Sequence, residues 1–171
     1  MKNVYLIGMM GSGKTTTGRA LAKLLSIPFV DLDDRIVQKA GRSINEIFKD
    51  QGERYFRDLE TEALKNVSKS SNQIVATGGG IVINPENRTR LKETGLVIYL
   101  KTSTDVLWER VKEKKDRPLL ATSNPKQTFL ELFQSRTPLY VENSQKSFLT
   151  DHKTPEAVAK EIYQVCFNEK N

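Results

Sequence analysis

Gly8-Met9-Met10-Gly11-Ser12-Gly13-Lys14-Thr15 fits the spacing G-x-x-x-x-G-K-[ST] at every defined position. An apolar run, Val4-Tyr5-Leu6-Ile7, precedes it, and a helical pattern over Thr16 to Leu25 follows. A strand, a glycine-rich turn and a helix in that order make a phosphate loop. Glycines let the backbone come close to phosphates, and successive N–H groups at the helix N-terminus form an anion site. Lys14 brings a point charge to the β- and γ-phosphates, and the Thr15 hydroxyl is placed to ligate Mg²⁺. The chain is therefore expected to bind a nucleoside triphosphate. Gly11, Ser12, Gly13, Lys14, Thr15 and Thr16 are the candidate contacts.

Two further stretches carry chemistry. Asp31-Leu32-Asp33-Asp34 ends a second apolar run, and strand alternation would put Asp31 and Asp33 on one side. Two carboxylates facing phosphates repel them unless a cation or a proton-donating hydroxyl lies between. Phosphoryl transfer supplies both, as Mg²⁺ on the phosphates and as an acceptor alcohol that needs a base. The structural alternative is an acid-rich helix N-terminus. Gly78-Gly79-Gly80 follows a third apolar run. Three glycines lose much conformational freedom on folding, so either a close backbone approach to a ligand or a tight turn is required there. Among the arginines, Arg57 has Glu60 at i+3 to orient it, Arg117 precedes Pro118 in a loop, and Arg136 precedes Thr137-Pro138-Leu139-Tyr140.

The elements that must hold these residues alternate. Strands are expected over 2–7, from 28, over 73–76, 96–100 and 147–150, with helices between them. Ser43 with Glu46 has capping-box spacing, Gly52 marks a break, and a longer helix should run over 54–67. A charged helix is expected over 105–114, a mobile loop over 116–125, and a helix over 126–141 that Pro138 kinks or ends. Short apolar strands alternating with helices predict an α/β fold with a parallel sheet covered on both faces. In such sheets ligands sit at the carboxyl ends of the strands, where all three unusual stretches fall.

At 171 residues one domain is expected, 1–171, with a substrate-binding segment near 32–61 and a lid near 112–125. The net charge of +6 suits a nucleic-acid binder or an enzyme of anionic ligands. There is no RNA-binding aromatic motif, no zinc spacing and no dense basic block, so nucleic acid is not expected as a partner. Cys166 is the single cysteine and reads as a small buried side chain. No apolar run has the length of a membrane span, and the N-terminal apolar stretch is too short for a signal peptide. A cytoplasmic monomer without a membrane partner is expected.

The ordered set of motifs resembles the shikimate kinase family along nearly the whole chain. The matching blocks are Gly8 to Thr15, Asp31-x-Asp33, Gly41-Arg42-Ser43-Ile44, and Gly52-Glu53 through Phe56-Arg57 and Glu60. Gly78-Gly79-Gly80, Arg117-Pro118-Leu119-Leu120 and Arg136-x-Pro138-Leu139-Tyr140 complete them. The resemblance implies a fold like the nucleoside monophosphate kinases, a five-stranded parallel sheet in order 2-3-1-4-5 with a lid. It implies transfer of the γ-phosphoryl of ATP to the 3-hydroxyl of shikimate, in the route to chorismate and aromatic amino acids. Asp33 would hold the acceptor hydroxyls and act as base. Asp31 with Thr15 would position Mg²⁺. Arg57, Arg136 and the Gly78–Gly80 backbone would hold shikimate. Lys14 and Arg117 would neutralise the transferring phosphate, and Arg110 would line the adenine site. Two arginines suit a carboxylate because a guanidinium is planar and permanently charged.

Some family members place an arginine against adenine in the loop after the last strand. Here Asp151-His152-Lys153 stands there, and Lys153 is the candidate contact through its stem. The neighbouring alternative is another small-molecule kinase, such as gluconate kinase; the acid pair, Phe56-Arg57 and Arg117-Pro118-Leu119-Leu120 argue against it. A GTPase-like switch would need an N-K-x-D motif, which this sequence lacks.

Overall fold

A computed structural model describes residues 1–168; the last three residues of the expected domain lie outside the described part. Five strands form one parallel sheet in the order β2-β3-β1-β4-β5. They are β1 (Asn3–Ile7), β2 (Phe29–Asp31), β3 (Ile74–Ala76), β4 (Gly95–Lys101) and β5 (Lys146–Leu149). Every residue of the central strand β1 is buried. Alternation sorts its side chains: Val4 and Leu6 enter one apolar layer, Tyr5 and Ile7 the other.

The first layer is closed by α1 (Lys14–Leu25) and α7 (Pro155–Cys166) through Leu21, Ala22, Val158 and Ile162. The second is closed by α3 (Ile44–Val67), α4 (Pro85–Thr94), α5 (Thr104–Val111) and α6 (Pro125–Glu142). Leu64, Leu91, Leu107 and Phe129 are their buried anchors. Each such side chain contributes roughly 1.5–3 kcal/mol by leaving water. A third, smaller cluster joins α2 (Leu32–Ala40) to the first half of α3 through Ile36, Ile47 and Phe56.

Local signals explain most boundaries. Ser43 and Glu46 make the expected reciprocal capping box at the start of α3. Asn84 and Thr154 cap α4 and α7, each followed by Pro at the first helical position. Gly52, at φ 83° and ψ 174°, breaks α3 into two helical pieces, as the sequence predicted.

Several expectations need correction. Of the two effects expected of Pro138, ending the helix does not occur: α6 runs to Glu142, close to the expected end at 141. The residues on both sides of it are anchored, Phe129 and Tyr140 being fully buried, and the Thr137 hydroxyl donates to the Phe133 carbonyl at 2.7 Å. Tertiary packing here outweighs the lost backbone bond. Helix α5 stops at Val111 rather than Lys114, because Lys112 to Lys115 offer nothing to bury. Within the 116–125 loop, Pro118–Leu120 form a 3-10 turn and Leu120 packs into the core. Cys166 is half-buried rather than enclosed. No described helix is long and apolar enough to cross a membrane.

Candidate active site

The carboxyl ends of β1, β2 and β3 open into one cleft of about 570 Å³. The phosphate loop forms its floor. Gly11 and Gly13 sit at φ 83° and 87°, where a side chain would be strained, and the turn leads straight into α1. The Lys14 ammonium donates to the carbonyls of Gly8 at 2.8 Å and Met9 at 3.0 Å. Burial lowers its pKa to about 8, against the pull of Asp33 and with the push of Arg117. The Thr16 hydroxyl donates to the Gly13 carbonyl, and Ser12 is buried beneath the loop.

The acid pair reaches the cleft by a route other than strand alternation. Asp31 ends β2 and caps α2, its Oδ1 accepting from the Asp33 N–H at 3.0 Å. Asp33 therefore lies in the first helical turn. Both the helix-cap reading and the cleft-facing reading hold at once. The second Asp31 oxygen accepts from the Thr15 hydroxyl at 2.7 Å, which ties the start of α1 to the end of β2. Burial, then repulsion from Asp31 and Glu60, raises the Asp33 pKa to about 6. Its Oδ1 is buried with no protein donor.

Beyond Asp33 lies a smaller hollow of about 90 Å³. Arg57, Arg136, Gly80 and Glu60 line one side of it, and Phe48, Phe56 and Leu119 add apolar walls. Arg57 donates to Glu60 at 2.8 Å, the i+3 pair expected from sequence, and to Glu53 one turn earlier, a partner sequence reading missed. Glu60 is 1% exposed and its other oxygen has no donor; burial raises its pKa despite Arg57. Arg136 is 3% exposed, and among the described residues no carboxylate comes within ion-pair distance of it.

The triple glycine is explained by close approach. A Cβ on Gly78 would collide with the Glu60 carboxylate, and one on Gly80 with the Arg57 guanidinium. Met10, Asp33, Gly78, Gly79 and Arg117 line both the cleft and the hollow, so these two spaces share a wall.

The remaining expected residues are placed as follows. Arg110 lines the cleft and donates to the Gly11 carbonyl at 2.9 Å. Lys153 lines it too, with its ammonium on Glu161 at 2.8 Å. Sequence reading missed Lys114, Thr150, Pro155 and Val158, which also line the cleft. Thr150 directly follows β5, Pro155 and Val158 lie in the first turn of α7, and Lys114 lies just past α5; none belongs to a motif.

A phosphate loop facing carboxylates at the strand ends of a 2-3-1-4-5 sheet defines a P-loop kinase, an enzyme that uses ATP. A model of the family described as shikimate kinase matches residues 10–167. A shikimate kinase from Thermodesulfovibrio yellowstonii is 45% identical over 95% of this chain and 93% of its own. One from Legionella pneumophila is 44% identical over 99% and 97%. The solved shikimate kinase from Acinetobacter baumannii in complex with shikimate superposes with a TM-score of 0.95 at 39% identity, covering 99% of this chain and 95% of that one. A Janibacter sugar kinase, at 15% identity and TM-score 0.55 over 96% and 93% of the two chains, shares the fold alone. The chain belongs to the shikimate kinase family.

Proposed function

We propose that the family's reaction, transfer of the γ-phosphoryl of ATP to the 3-hydroxyl of shikimate, is carried out here across the wall shared by cleft and hollow. That shared wall is the observation that carries the reading: it brings a phosphate loop and a two-arginine hollow together at Asp33 and Arg117. ATP lies in the cleft with its phosphates on the loop N–H groups and Lys14. Shikimate lies in the hollow, its carboxylate on Arg57 and Arg136 and its hydroxyls on Asp33. Asp33 takes the hydroxyl proton as the oxygen bonds to the γ-phosphorus. The bond to the β-phosphate oxygen breaks, and ADP leaves with that charge. A carboxylate whose pKa is drawn up to about 6 is a better base near neutrality than an ordinary one. Arg117, carried by the lid segment, neutralises the charge that develops during transfer.

Paired oxygen ligands from Thr15 and Asp31 fit Mg²⁺, which takes one or two protein oxygens and completes its shell from water and phosphates. Bound there, Mg²⁺ would supply charge neutralisation to the phosphates. A cytoplasmic setting and a monomeric state complete the reading. ADP release followed with shikimate and with gluconate as acceptors tests it: turnover on shikimate is expected, and preference for gluconate would sink the assignment.

The two shifted groups predict a pH profile. In kcat/KM for ATP, activity should fall below about pH 6 as Asp33 gains a proton and above about pH 8 as Lys14 loses one. Bound phosphates favour the charged ammonium, so the alkaline fall in kcat should move higher. An alkaline limb at the same pH in both parameters would contradict the role of Lys14.

The two arginines should separate under substitution. Arg57→Ala and Arg136→Ala should each weaken shikimate binding by roughly 2–5 kcal/mol and ATP binding far less. Arg57→Ala also strips the buried Glu60 of its partner, so it should lower the melting temperature, whereas Arg136→Ala should not. Calorimetry and melting curves measure both. Equal losses for the two ligands would contradict this division.

A further inference from the structure

A second cavity, of about 510 Å³, shares no lining residue with the cleft or the hollow. It opens between α2, the second half of α3 and the edge strand β2. Two apolar clusters meet there. Val30 and Val67 belong to the layer over the sheet, Ile36 and Leu59 to the small cluster of α2 with α3, and Ala63 touches both. Ala63 brings only a methyl group to that junction, and the space beside it stays open. Its size is that of a small-molecule site, which takes roughly 300–1,000 Å³.

The lining has a definite chemistry. Its apolar side chains are all aliphatic, and Val30 and Ile36 are 6% and 2% exposed. Its charged side chains are Arg35 and Lys39, and no carboxylate lines it. Lys39 is already paired with Glu62. Arg35 has no carboxylate within ion-pair distance among the described residues; its neighbour Asp34 lies 3.9 Å from Arg19. Gln73 is 8% exposed and donates its amide N–H to the Val67 carbonyl at 3.0 Å. Among the described residues its amide oxygen accepts from no protein group. A spare acceptor in an apolar cavity calls for a donor.

We propose that this cavity is a second ligand site, for a small organic anion. A carboxylate would meet Arg35, an apolar body of about ten heavy atoms the aliphatic wall, and an N–H on that body the Gln73 oxygen. Neither substrate of the proposed reaction suits it, because hydroxyls or phosphates against that wall would lose water without gaining partners.

The probe is indole-3-acetate, with indole-3-acetamide and tryptamine as neutral and cationic compounds of the same ring. Binding to the ¹⁵N-labelled full chain is followed by backbone amide shifts, with and without shikimate and a non-hydrolysable ATP analogue. The acetate should bind with a Kd of about 0.1–1 mM, the range for a ligand of this size. Shifts at Ala63, Val67 and Gln73 should persist beside both substrates. Indole-3-acetamide and tryptamine should bind roughly three- to fivefold more weakly or worse, the scale of one solvent-exposed ion pair. Arg35→Ala should bring the acetate to the level of indole-3-acetamide, and Ala63→Leu, which fills the cavity, should abolish binding. Shifts confined to the phosphate loop or the glycine turn, equal binding of the three compounds, wild-type affinity in Arg35→Ala, or no binding at all would each overturn the proposal. Should Ala63→Leu fail to fold, the Arg35→Ala comparison decides.

Discussion

Lys14→Met is expected to leave the protein folded and to reduce phosphoryl transfer by about 10³-fold, the scale for removing one preorganised donor from a developing charge. The ammonium is held by the Gly8 and Met9 carbonyls, whose direction is set by the loop itself. Methionine keeps much of the stem, so the packing loss is small. The ammonium is also costly to keep there, as its pKa of about 8 records. A charge retained against that cost serves a ligand rather than the fold. ATP affinity should fall less than turnover, since the phosphates gain charge density as the bond breaks. Melting temperature, nucleotide titration and single-turnover rates together check this. Wild-type turnover in the variant would remove the phosphate loop from the mechanism.

Asp33→Asn should act in two opposite directions. Turnover should drop by roughly 10²-fold or more, because the amide cannot accept the hydroxyl proton. The ligand-free protein should become more stable. The folded-state pKa of Asp33, about 6, lies above the ordinary 3.8. Such a carboxylate binds its proton more tightly folded than unfolded, so its charged form destabilises the fold. The penalty is absent below about pH 4, grows through the interval, and is complete above about pH 6. Allowing for the partly exposed side chain, it amounts to roughly 2 kcal/mol at pH 7.5. The asparagine variant should then melt roughly 4–8 °C higher at that pH, with the gain fading toward pH 4. A variant that melts lower than wild type at pH 7.5 would show that Asp33 is structural. Turnover within a few-fold of wild type would show that it is not the base.

The order of elements was legible because the sequence states it twice, in apolar periodicity and in caps. Ser43 with Glu46 and Asn84 with Pro85 fixed helix starts without help from distant contacts. The helix over 126–141 was legible despite Pro138, whose cost is local, while the burial of Tyr140 that outweighs it depends on residues far away in sequence. The acid pair was located correctly on an incorrect warrant: strand alternation stops at Asp31, and a helical turn presents Asp33. The phosphate loop was readable because its chemistry is contiguous. The hollow was less so. Its apolar walls, Phe48, Phe56 and Leu119, carry no chemical signature and are brought together only by the fold. Tyr140 is the extreme case, because nothing in a tyrosine on an apolar helix face tells that its hydroxyl donates to the Gly79 carbonyl.

The strand order has a consequence for how the protein comes into being. β1 is synthesised first yet occupies the centre of the sheet, with Val4 paired to Ile74 on one side and Leu96 on the other. Its five residues have no neighbouring strand until β3 (Ile74–Ala76) has been made. The phosphate loop hangs from the end of that strand, so it has no paired sheet to brace it during the same interval. Closing contacts this distant is slow and cooperative, and an unpaired apolar strand is a hazard meanwhile. Nucleotide therefore cannot template an early intermediate. It is expected to reward a chain that has been built at least as far as β3.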